Sequence, residues 1–178
     1  LASALPEAAA ALQAAAASAA AAWRDEFSVH HDPSGLFCES NVFRYRPFSR
    51  CIVRATRETD DAGLARIMLG AACTGTTLEV SCPEARPFLA TTRIETHVED
   101  DDAFIRRIST TPRPWQGLRA PHASPELKAA AAAAGLRLVD QAPLWNGRIE
   151  LLWLLREQAV SATLHRHGSV LPEPKPPQ

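Results

Sequence analysis

Between residues 50 and 139 short strand-like runs and helix-like runs alternate with brief links, and this alternation constrains the fold more than any other feature of the chain. Val42, Phe43 and Tyr45, then Ile52 and Val53, suit a pleated surface, and Pro47 divides them into strands near 42–46 and 50–55. Thr59 or Asp60 can cap the helix that follows. In it Leu64, Ile67, Met68, Ala71 and Ala72 recur at helical spacing, and Gly75 ends it. Residues 77–81 read as a strand, 83–89 as a short helix, 93–98 as an alternating strand and 101–108 as a short helix. A weak strand near 116–120 precedes a helix opened by Ser124-Pro125-Glu126 and closed by Gly135, after which 136–139 is a strand. Alternation with short links predicts an α/β fold: a Rossmann-like, mainly parallel sheet with helices on both faces.

The flanks differ. Residues 1–27 read as one long helix, because all but three of residues 8–22 are alanine and Leu5, Leu12, Trp23 and Phe27 share a stripe. So smooth a face suits close approach to another surface, and its partner is expected to lie partly beyond this chain. A start at Leu1, directly into a helix, suggests a piece of a larger protein. Residues 28–40 form a connector with turn chemistry at Asp32-Pro33-Ser34-Gly35, and the α/β domain occupies 41–155. Residues 149–155, apolar on all sides, predict a buried short helix in which Leu152, Trp153 and Leu155 anchor the segment that follows. Residues 156–170 form an extended segment and 171–178 a stiff, disordered proline-rich tail. The 178 residues suffice for a core of their own.

The net charge of −1 gives no electrostatic case for nucleic acid or an anionic membrane. No stretch is apolar enough to span a bilayer, and the alanine-rich start lacks the basic region of a signal peptide. Cys38, Cys51, Cys73 and Cys82 are scattered, which fits reduced thiols and a cytoplasmic setting. The turn after the first buried strand, residues 55–60, has no glycine, and Glu58, Asp60 and Asp61 stand where a dinucleotide's phosphates would sit. His30, His31 and Asp32 are adjacent and read as a polar turn rather than metal ligands. His165 and His167 share one side of a strand and could join Glu157 in a metal or acid–base site. Surface contacts explain them more simply. None of the cysteines has a neighbouring base to activate it. Arg44, Arg46, Arg50, Arg54 and Arg57 form a basic run that could hold an anion, but pairing with Glu95, Glu99 and the aspartates of 100–102 is favoured. These readings give no catalytic, cofactor-binding or metal-ligating residue.

Three motifs carry a resemblance: WRDEFSVHHDPSGL, ESNVFRYRP and GRIELLWLLREQAVSATLHRHG. Together they resemble the C-terminal region of the bacterial bifunctional proline dehydrogenase and L-glutamate γ-semialdehyde dehydrogenase, the proline utilization A family. The resemblance implies an aldehyde dehydrogenase-like Rossmann domain without catalysis of its own, which covers the tunnel between the parent's two active sites. It implies a C-terminal β-flap over 156–170 resembling the oligomerisation hairpin of aldehyde dehydrogenases. It also implies upstream catalytic domains as partners, with homo-oligomer contacts possible. FAD and NAD would serve the parent, in domains that this segment does not contain. Val160, Ala162, Leu164, His165 and His167 are the interface candidates, on the reasoning that an unpaired strand edge recruits another strand, most simply from a second copy. The alternative reading is a small stand-alone enzyme or nucleotide-binding domain with an unconventional site.

Overall fold

The computed structural model describes residues 3–111, 115–166 and 169–170. Its centre is a five-stranded sheet built from β2 (Arg50–Arg54), β3 (Thr77–Cys82), β4 (Glu95–Val98), β5 (Gly117–Arg119) and β6 (Arg137–Val139). The order is β4-β3-β2-β5-β6, and all four pairings are parallel. Three main helices connect the strands: α2 (Asp61–Thr74), α3 (Asp101–Thr110) and α4 (Pro125–Ala133). Each opens on a side-chain cap, with Asp60, Asp100 and Ser124 accepting from the backbone N–H three residues on. Gly75 closes α2 at φ 75°, a conformation that favours glycine.

Strand β2 is buried on both faces and divides the core in two. Cys51 and Val53 face Leu64, Ile67 and Met68 of α2 with Leu78 and Val80 of β3. Ile52 faces the other way, towards Phe104 and Ile108 of α3, Trp115, and Leu127 and Ala131 of α4. Each large side chain so buried is worth roughly 1.5–3 kcal/mol. The predicted two-faced α/β sheet is therefore present.

Helix α1 (Ala9–Ala22) is preceded by a 3₁₀ turn at Pro6–Ala8 and followed by a π turn at Trp23–Phe27. Its smooth face does accept a close neighbour, and that neighbour is within the chain. Leu12 packs in the α2-side core, while Ala19 and Phe27 meet Leu151 and Leu155. The closest approach is at Gly147, the first residue of α5 (Gly147–Leu152), where an added Cβ would fall 2.3 Å from the Ala19 backbone nitrogen.

Two expectations change. Residues 83–89 hold no helix of that extent; a 3₁₀ helix spans Pro87–Thr91 instead, because Pro87 can open a helix but cannot continue one. The run at 149–155 is not an all-apolar buried helix. It is divided between α5, a turn, and the start of β7 (Leu155–Thr163). Leu151, Leu154 and Leu155 are the buried anchors, Leu152 and Trp153 are half-buried, and Ile149 is 43 % exposed. The cause is Glu150. Its carboxylate turns inward to accept from the buried Arg119 and from the Leu144 N–H, which rotates Ile149 outward.

Strand β1 (Glu39–Pro47) lies outside the parallel sheet. It pairs antiparallel with β7 along its whole length, from Glu39 opposite Thr163 to Pro47 opposite Leu155. Chain exit and return meet at one point, where the Phe48 N–H donates to the Leu154 carbonyl at 2.9 Å. Strands leaving the core side by side satisfy one another's amides, so a two-stranded ribbon forms. A short hairpin, β8 (His165–Arg166) with β9 (Ser169–Val170), follows it. The tail at 171–178 lies outside the described residues.

Candidate functional site

In this strand order the chain runs outward from β2 to β3 to β4, then returns across α3 to place β5 on the other side of β2. The switch point therefore lies at the carboxyl ends of β2 and β5, where open α/β sheets hold their ligands. A crevice of about 400 Å³ opens there, lined by Arg54, Thr56, Arg57, Glu58, Asp101 and His122, among others. A smaller recess of about 200 Å³ adjoins it, and Glu58 and His122 line both.

The turn after β2 is self-contained. The Thr59 hydroxyl accepts from the Thr56 N–H at 3.1 Å, and Asp60 Oδ1 takes the Gly63 N–H at 2.6 Å. A carboxylate of the chain itself thus sits at the N-terminus of α2, and Asp100 does the same at α3. Both helix ends that could have met a phosphate are already charged and bonded. His122 stands at φ 64°, alone among the described non-glycine residues in having positive φ, and its Nδ1 lies 3.4 Å from Glu58 Oε2.

Two of the five arginines of the basic run, Arg50 and Arg54, follow the expected pairing with residues 95–101. Arg54, 1 % exposed, donates Nε and Nη2 to Asp101 Oδ1 at 3.1 and 2.6 Å, and Nη1 to the Ser81 hydroxyl and the Glu99 carbonyl. Arg50 bonds Glu79 and Glu95. Arg44 turns to the ribbon and donates to Gln158 at 2.8 Å. The sequence reading missed Glu79 and Arg107. Glu79 is 3 % exposed in β3 and takes Arg107 as well as Arg50, and its alternation in TLEVSC was the available signal. Burial pushes the Glu99 carboxyl up, but hydrogen bonds from Arg107 and Ser81 outweigh it and hold it below the ordinary range. Glu79, Glu95 and His97 bring ligand atoms within 4.8 Å of one another. With two guanidiniums already on Glu79, the group reads as an ion-pair network.

Asp32 is a turn residue. It accepts from the Ser34 hydroxyl at 2.6 Å and from the backbone N–H groups of Ser34, Gly35 and Asn41. His31 forms a bridge to Phe43 of β1. Burial pushes the Cys51 thiol up to about 12 and raises Cys73 and Cys82 too, so these three stay protonated near neutral pH.

The interface candidates fall on the ribbon and hairpin. Val160 is opposite Val42 and Ala162 opposite Ser40, while the Leu164 N–H donates to the Cys38 carbonyl; all three side chains are half-buried. The strand expected to be an unpaired edge thus has one edge filled by β1 of the same chain. His165 lies in β8, eight residues beyond Glu157, and His167 lies outside the described residues. At the ribbon's base Tyr45, Arg137, Trp153 and Arg156 help line a second crevice of about 450 Å³.

No family model matches the chain, and no curated protein does. Solved structures do. Proline utilization A (PutA) from Corynebacterium freiburgense is 34 % identical over 89 % of this chain, with a TM-score of 0.64. The chain spans 14 % of that protein's length. Histidinol dehydrogenase from Elizabethkingia anophelis is 13 % identical over 76 % of this chain and 36 % of its own, with a TM-score of 0.56, a likeness of fold alone. No helix among the described residues is long and apolar enough to cross a membrane. A parallel α/β sheet in a chain matched over 89 % of its length at 34 % identity makes this a PutA-like domain.

Proposed function

We propose that the chain is a non-catalytic structural and assembly domain of a cytoplasmic proline-catabolic enzyme. The parent oxidises proline to 1-pyrroline-5-carboxylate with FAD, and the derived semialdehyde to glutamate with NAD, in domains other than this one. This domain covers the tunnel between the two sites and carries the ribbon that meets catalytic domains or a second copy. The observation that carries the reading is the likeness to PutA over 89 % of this chain but only 14 % of PutA. The carboxyl edge supports it, since Asp60 and Asp100 occupy the helix ends that a nucleotide's phosphates would need. Val160 and Leu164 supply apolar, half-buried side chains on the outer part of the ribbon.

The test is a Val160→Lys, Leu164→Lys double variant of the parent enzyme. Light scattering should show weaker association, and coupled proline-to-glutamate turnover should fall while each separate activity stays near normal. Unchanged assembly and unchanged coupling would refute the assembly role. NAD, NADH and FAD should leave the unfolding temperature of this 178-residue chain unmoved. A ligand at a hundred times its Kd would add about 2.7 kcal/mol, so a clear rise would favour the nucleotide-binding alternative.

A further inference from the structure

We propose that the switch-point crevice is a binding site for a free α-amino acid in its zwitterionic form. The size fits first. About 400 Å³ lies at the small end of small-molecule sites, at the position where open α/β sheets hold ligands. The chemistry then narrows the class. A phosphate finds neither neighbouring helix end open, because Asp100 caps the α3 N-terminus in the crevice and Asp60 caps the α2 N-terminus in the adjoining recess. Buried Arg54 is not free to take an anion either, since Asp101, Ser81 and the Glu99 carbonyl hold its donors.

The lining charges left over are of both signs. Arg57 is exposed and makes no hydrogen bond or ion pair with the described residues. Asp101 gives Oδ1 to Arg54, and its Oδ2 has no hydrogen-bond partner among the described residues. A carboxylate is recognised by Arg57 in bidentate fashion, and an ammonium by Asp101 Oδ2. A ligand with both groups on one carbon satisfies both; one with a single charge leaves the other wall unmatched. His122 completes the carboxylate side. Its Nδ1 lies 3.4 Å from Glu58 Oε2, and its Nε2 has no hydrogen-bond partner among the described residues. Its backbone is in the left-handed region, and the residue lines the crevice.

This site belongs to the chain itself and does not depend on the assembly role, so the two can fail separately. The experiment is a two-dimensional ¹H–¹⁵N titration of the 178-residue chain with each protein amino acid, then with the deaminated and decarboxylated counterparts of the tightest one. Expected are saturable shifts centred on Thr56, Arg57, Glu58 and His122, with each single-charge counterpart about tenfold weaker or worse. Arg57→Gln and His122→Asn should each weaken binding by about tenfold. Asparagine tolerates positive φ, so circular dichroism and the unfolding midpoint should stay as in the parent chain. The proposal is overturned if no amino acid gives saturable shifts at the crevice, or if a single-charge counterpart binds as well. It is also overturned if inorganic phosphate or NAD produces the same shifts, or if Arg57→Gln binds unchanged.

Discussion

Asp32 shows how much one side chain can settle. The sequence marks it as a turn former, and its local partners, the Ser34 hydroxyl and the Ser34 and Gly35 amides, follow from that. The Asn41 N–H, nine residues on, does not; it arrives because β1 starts beside the turn. These hydrogen bonds, the Ser34 hydroxyl first, hold the carboxyl down to about 2. A carboxyl lowered on folding stabilises above its unfolded value of about 3.9, and the contribution is lost as pH falls through the folded value. Wild type should therefore be more stable than Asp32→Asn at pH 5, and the gap should close as pH drops towards about 2. Urea unfolding midpoints at the two pH values check this. Parallel decline of both proteins would show that the turn does not report on Asp32.

Among elements, caps and periodicity were legible and docking was not. Asp60, Ser124 and Gly75 end their helices where residue chemistry says they should. The smoothness of α1 was legible too, as a run of alanines, but its partner was not, because Gly147 lies 128 residues from Ala19 and contact at such separation leaves no local pattern. Gly147→Ala should destabilise the chain by about 1–3 kcal/mol, because its Cβ would strike the Ala19 backbone, which cannot rotate away. Gly70→Ala should cost less, since its Cβ would meet only side-chain ends, Leu154 Cδ1 at 3.2 Å and Leu151 Cδ2 at 3.6 Å. Equilibrium urea unfolding of both variants gives the comparison. Gly147→Ala at wild-type stability would mean that α1 and α5 are not docked closely.

For the whole molecule, α1 is the element that joins the ribbon's base to the sheet. It shares one cluster with α2 and β2, and another with Leu151 and Leu155. Removing residues 3–27 should expose both clusters, lower the unfolding temperature, and produce dye-binding apolar surface. A thermal melt with a hydrophobic fluorophore measures it. An unaltered melt would make α1 an appendage of the fold.

Sequence alone determined the alternation of strands and helices, the two-faced sheet, most helix ends, and a first turn without the glycines of a dinucleotide site. All of these are local: a period, a cap or a turn is written within a few residues. Tertiary structure decided that β1 leaves the sheet to pair with β7, that Glu150 divides the leucine run, that Glu79 gathers two arginines, and that Arg57, Asp101 and His122 share one crevice. Each of these depends on residues brought together from distant parts of the chain. The crevice residues meet because the parallel order of the five-stranded sheet sets the carboxyl ends of its strands on one edge.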